Sequence, residues 1–125
     1  MATPIDQDFF ARLRALNDKF AASIPDTLAR MRNARRAFDP EAPDQAAINA
    51  LHETLHTIAG SAATFGFRSF GLKARALEQR LRVLMAFDAV PAGDWKRWLE
   101  ALDWYLDWAE IDPKADQIAT GPGDQ

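Results

Sequence analysis

The feature that most constrains this chain is the spacing of its apolar residues. They recur every three or four positions, the period of an α-helix, and no segment alternates as a half-buried strand would. Leu13, Leu16, Phe20, Ile24, Leu28, Met31 and Phe38 form one such stripe. Ile48, Leu51, Leu55, Ile58, Ala62 and Phe65 form a second, and Phe70, Ala74, Leu77, Leu81 and Leu84 a third. Trp95, Trp98, Leu99, Leu102, Leu106 and Ala109 form a fourth. Helices with a single apolar stripe and short connections pack antiparallel. The expected fold is therefore all-α, an up-and-down antiparallel four-helix bundle with room for an extra N-terminal helical segment.

Breakers and caps divide the stripes. Thr3-Pro4-Ile5-Asp6 reads as a helix start, with Thr at the N-cap, Pro in the first helical position and an acid in the first turn. Pro25 interrupts the first stripe without shifting its phase, which predicts a kink or two collinear helices. Asp39–Asp44, with prolines at 40 and 43, reads as a loop, and the second helix is expected to start near Asp44. Gly66 to Ser69 reads as a tight turn. Val90-Pro91-Ala92-Gly93 breaks the chain again, and Asp94 is the expected N-cap of the last helix. Trp104 and Trp108 fall on the side opposite Leu99 and Leu102. Either the N-terminal helix covers them or they form a contact patch. Residues 1–112 are expected to make the bundle, and the polar, Gly- and Pro-containing residues 113–125 a disordered tail.

Composition narrows the class of function. A chain of 125 residues makes one domain. Both signs of charge are interspersed and the net charge is only −3, so no basic face for nucleic acid is expected. The absence of cysteine excludes disulfides and thiolate metal sites. No basic-then-apolar leader and no bilayer-length apolar run are evident, which points to a cytoplasmic protein without a membrane partner.

One stretch, His52-Glu53-Thr54-Leu55-His56, spells the zinc-protease signature His-Glu-x-x-His. That signature works because imidazoles four apart share a helix face and can hold one metal. A third ligand is required, and positions 59 and 62, where the extended form would continue, are both Ala. Glu78 stands in no second motif, and the chain offers no strand to bind a peptide substrate. No metal site is expected. On a helical wheel His52 falls at the flank of the apolar stripe, a boundary position, while His56 points about 130° from the stripe centre, toward solvent. Gly60 lies one turn further along that exposed face, flanked by Ala59 and Ala63. A glycine inside a helix costs about 1 kcal/mol relative to Ala. A face bearing His and then only tiny residues is shaped for close approach.

The run His56-Thr57-Ile58-Ala59-Gly60-Ser61-Ala62-Ala63-Thr64-Phe65-Gly66-Phe67, followed by Leu72, Ala76, Leu77 and Glu78, resembles the histidine-containing phosphotransfer (HPt) domain family. That family's pattern is His-x-Leu-Lys-Gly-Ser-x-x-x-x-Gly with a Leu-Glu in the next helix, and the strong part of the match covers residues 48–82. The resemblance implies that His56 relays a phosphoryl group between aspartates of receiver domains in a multistep phosphorelay. It implies no catalytic turnover of the chain's own. Implied partners are a response-regulator receiver domain and a hybrid sensor histidine kinase. The protein itself would be a monomer without a cofactor, any Mg²⁺ being on the receiver. Ala59, Gly60, Ala63, Glu78 and Arg82 are the implied phosphoryl- or receiver-contacting residues. The family's Lys three residues after the His is Ala59 here. Arg82, brought beside His56 across the α-hairpin, is the first candidate to replace that cation, ahead of Arg75. A helical adaptor that binds receivers or kinases without being phosphorylated is the alternative, and a zinc hydrolase the third reading.

Overall fold

The structure, a computed structural model, describes residues 4–115. Four α-helices follow one another: α1 Pro4–Arg36, α2 Gln45–Ser61, α3 Arg68–Met85 and α4 Ala92–Ile111. A short 3-10 turn, Ala62–Phe65, continues α2. Among the described residues there is no strand, and the all-α antiparallel bundle expected from the stripes is what forms.

The core is built from the inner stripes of all four helices. Leu28 and Met31 of α1, Leu51 and Leu55 of α2, Phe70 and Leu81 of α3, and Trp98 and Leu102 of α4 are buried together. Two large aromatic residues of α4 bury their polar tips by bonding to α3 carbonyls. Trp98 Nε1 donates to Leu77 O at 3.0 Å, and the Tyr105 hydroxyl donates to Phe70 O at 2.9 Å. These bonds satisfy donors that would otherwise be desolvated without a partner. Between α1 and α4, the Arg35 guanidinium donates two bonds to the Asp103 carboxylate, at 3.0 and 3.1 Å. Arg32 spans Asp107 and Glu110 one turn further along.

The chain crosses Pro25 as one uninterrupted helix rather than two. The Ser23 and Thr27 hydroxyls, one on either side of it, donate to the Phe20 and Ser23 carbonyls. The N-terminal part of α1 is the expected extra segment, fused to the first bundle helix. Leu16, placed inward by its stripe, is instead 51% exposed, and Phe9 and Phe10 are also exposed. The bundle's end explains this: the 3-10 turn meets α1 at Phe20, whose ring stacks on Phe65 at 5.2 Å. N-terminal of that contact the stripe runs out of partners.

Several boundaries shift from expectation. The second helix begins near Asp44 as expected, and Asp44 caps it, its side chain accepting from the Ala46 N–H. The turn between α2 and α3 is shorter than Gly66–Ser69, because Arg68 and Ser69 already belong to α3. Gly66 has φ +89°, a left-handed conformation that an L side chain rarely adopts. Asp94 does not cap α4. The helix starts two residues earlier, since the Pro91 carbonyl accepts from the Asp94 and Trp95 N–H groups and nucleates the turn. Asp94 instead lies in the first turn and pairs with Arg97. Trp104 and Trp108 are half-buried, and Lys73 of α3 lies over both rings, with Nζ 4.9 and 5.4 Å from their centroids. Of the expected tail, residues 113–115 form a turn after α4, with Lys114 Nζ 5.5 Å from the Phe67 ring centroid. Residues 116–125, and the Thr3 cap, lie outside the described residues.

Candidate functional site

Antiparallel packing of α2 on α3 sets His56 opposite Glu78. The inward stripe of α3 runs through Ala74, Leu77 and Leu81, so Glu78 stands at the edge of that stripe nearest α2 and is only 5% exposed. His56 lies on the outer side of α2, with its side chain 71% exposed. Their contact is a hydrogen bond, His56 Nδ1 to Glu78 Oε1, at 2.9 Å. Glu78 was expected to sit on the surface beside His56 as a docking residue. Burial removes it from the surface, and the structure gives it the imidazole as its partner instead.

The bond fixes the chemistry of both groups. The hydrogen bond from His56 holds the Glu78 carboxyl below the usual carboxylate range; the nearby His52, His56 and Arg82 side chains reinforce the shift, and burial opposes it. Glu78 is therefore an acceptor, and Nδ1 of His56 carries the hydrogen that it donates. In the neutral imidazole Nε2 then keeps the lone pair, on a side chain that is 71% exposed. An imidazole held in this way can act as a nucleophile without a general base.

The surface around Nε2 is bare. Gly60 is exposed, and a Cβ built on it would meet nothing within 4 Å. Ala63 is exposed and Ala59 half-buried. On the α1 side an open groove of about 840 Å³ runs past the two histidines, lined among others by Phe20, Ile24, Thr27 and Arg30. Two guanidiniums border the site from α3. Arg82, with its side chain 67% exposed, lies 3.8 Å from Glu78 Oε2. Arg75 donates to the Ala59 carbonyl at 3.2 Å. The sequence reading ranked Arg75 second, yet it is Arg75 that is tied directly to position 59.

His52 and His56 do lie on adjacent turns, their rings near-parallel with centroids 6.1 Å apart. Among the described residues, no three His, Cys, Asp or Glu side chains converge as a metal would need. Two features escaped the sequence. Gly71 is buried at the start of α3, where a Cβ would come within 3.1 Å of Ala62 Cβ, so its small size lets α3 close on the 3-10 turn. His52 Nε2 and Glu78 Oε2 face one another at 3.9 Å, both buried and without a hydrogen bond. The helical spacing of His52 and His56 was the available signal for that second feature, but it pointed toward metal rather than toward a shared carboxylate.

A family model described as the Hpt domain matches residues 15–107. No curated protein and no solved structure gives a significant match.

Proposed function

Because this chain belongs to the Hpt domain family, whose domains carry histidine phosphotransfer in two-component signalling, we propose that His56 is its phosphoryl acceptor. The observation that carries the reading is the Nδ1–Glu78 hydrogen bond, which leaves Nε2 as the exposed lone pair beside the cleared Gly60 face. In the step, the Nε2 lone pair attacks the phosphorus of a receiver's aspartyl phosphate. The P–N bond forms as the P–O bond to aspartate breaks, and the carboxylate leaves with the electron pair. Onward transfer reverses these roles with a second receiver. Phosphoryl transfer rests on positioning and charge neutralisation more than on acid–base chemistry, so this chain has no turnover of its own. The receiver brings Mg²⁺ and the acidic pocket. The partners are a receiver domain and a hybrid sensor kinase, met in the cytoplasm by a monomer. No helix among the described residues is long and apolar enough to cross a membrane.

The missing Lys leaves the phosphoryl oxygens to the guanidiniums of α3. Arg82 approaches from the His52 side and Arg75 from the Ala59 side, and a guanidinium matches phosphate geometry well. Arg82→Ala and Arg75→Ala should shorten the phosphohistidine lifetime or slow transfer. Arg80→Ala, on the far flank of Leu81, should not.

The test is incubation with a phosphorylated receiver. Wild type and His52→Gln should take up acid-labile label, and His56→Gln should take up none. Gly60→Gln, folded, should be slowed by its long side chain on the docking face. Label retained by His56→Gln refutes the acceptor. A receiver that binds but never transfers leaves the adaptor reading.

A further inference from the structure

Of the buried side-chain atoms without hydrogen-bond partners among the described residues, two belong to one contact: His52 Nε2 and Glu78 Oε2, 3.9 Å apart. The other oxygen of the same carboxylate is the one that accepts from His56. Glu78 thus stands between two imidazoles from adjacent turns of α2, one bonded and one a short movement from bonding. We infer that His52 is a positioning residue: through Glu78 it holds the acceptor imidazole in its reactive tautomer. The inference rests on the proposed role of His56 as acceptor.

The physical reason is the scarcity of alternatives. Glu78 is on a packed helix, and its carboxylate can rotate about its last bond, moving Oε1 off Nδ1. A donor on Oε2 stops that rotation, because both oxygens are then held. Arg82 also lies near Oε2, at 3.8 Å, but its side chain is 67% exposed and water can serve it. His52 Nε2 is shut off from water and makes no hydrogen bond, and Oε2 faces it at 3.9 Å. A buried donor and a buried carboxylate oxygen left unpaired are each unfavourable, which favours closing the gap. Closure requires the hydrogen of His52 to be on Nε2. With Oε2 held, Oε1 continues to accept from His56 Nδ1, and His56 Nε2 keeps its lone pair toward the receiver.

The experiment is ¹⁵N NMR of the unphosphorylated, full-length protein, reading the tautomer of each histidine, with phosphoryl uptake measured in parallel. In wild type, His52 should carry its hydrogen on Nε2 and His56 on Nδ1. His52→Leu should lower the Nδ1–H to Nε2–H ratio of His56 by about fivefold, the equivalent of one ordinary hydrogen bond, and slow phosphoryl uptake similarly. His52→Gln, whose amide can donate to Oε2, should restore both. A wild-type His52 bearing its hydrogen on Nδ1 overturns the inference, and that reading needs no variant. So does a His56 tautomer ratio unchanged in His52→Leu. If instead His56 takes up no phosphoryl group in wild type, the acceptor reading falls. The tautomer measurements still decide whether His52 acts on His56 through Glu78.

Discussion

Replacing Glu78 with Leu should make the protein more stable and less able to accept a phosphoryl group. Glu78 is 5% exposed, and the cost of taking its carboxylate out of water is offset, with a small surplus, by its bond to His56 and the nearby positive charge. That bond is charge-assisted and contributes about 1.5–3 kcal/mol. The approaches of His52 and Arg82 to Oε2, at 3.9 and 3.8 Å, are too long for hydrogen bonds. A Leu in the same place would contribute about 1.5–3 kcal/mol by burial. His56, whose side chain is 71% exposed, would pass its Nδ1–H to water. The balance favours Glu78→Leu by about 1–2 kcal/mol, which raises Tm by roughly 4–8 °C for a domain of this size. The pH dependence gives an independent check. The folded-state pKa of Glu78 is lowered, so its charged form is favoured by folding. That increment is present above the ordinary carboxylate range and is lost as pH falls through the depressed value. Wild type loses it in acid and Glu78→Leu has none to lose, so the stability gap should widen on acidification. Urea unfolding across the acid range measures both quantities. A Glu78→Leu protein less stable than wild type at neutral pH, or with a parallel pH profile, would refute the reasoning.

Three glycines should respond differently to the same added methyl group. Gly66→Ala should lose about 1 kcal/mol, because φ there is +89°. Gly71→Ala should lose about 1–3 kcal/mol by overpacking, its Cβ arriving 3.1 Å from Ala62 Cβ, whereas Gly60→Ala should gain about 0.5–1 kcal/mol in open space. Denaturant midpoints of the three variants check the ranking, and a destabilised Gly60→Ala would contradict it. Arg35→Ala, which breaks the half-exposed paired bonds to Asp103, should cost about 0.5–1 kcal/mol at low salt. That cost should shrink in high salt, as thermal melts at two ionic strengths would show. Elemental analysis should find no stoichiometric zinc; about one equivalent, lost when either histidine is mutated, would restore the hydrolase reading.

The helices were legible because burial imposes a period, and that period survives Pro25. The same logic misplaced Leu16: an apolar stripe says which face would be buried, not how far the partner helices extend. Asp94 was misread because a good capping side chain is no guide where an upstream carbonyl, that of Pro91, already starts the helix. The exposed placement of His56 and Gly60 could be read from the helical wheel. The role of Glu78 could not. Whether a carboxylate at the rim of an apolar stripe meets solvent or a neighbouring helix depends on the rotation of α3 against α2, which no local pattern encodes. Arg75 was ranked behind Arg82 for the same reason, and its bond to the Ala59 carbonyl is a product of that rotation.

Only 22 positions separate the imidazole from its carboxylate partner, and the intervening chain is the end of α2, the 3-10 turn and the first half of α3. Joining the two groups therefore closes a short loop, and the entropy of loop closure grows with length. Contacts of low sequence separation also tend to form early in folding. The hairpin of α2 and α3 can acquire its register before α1 and α4 dock their distant ion pairs, such as Arg35–Asp103, which join residues 68 positions apart. On that order the docking of α1 and α4 would govern the lifetime of the native state, while the imidazole–carboxylate geometry would be specified by the local hairpin. Sequence change in α1 and α4 can tune durability with little effect on where the imidazole points.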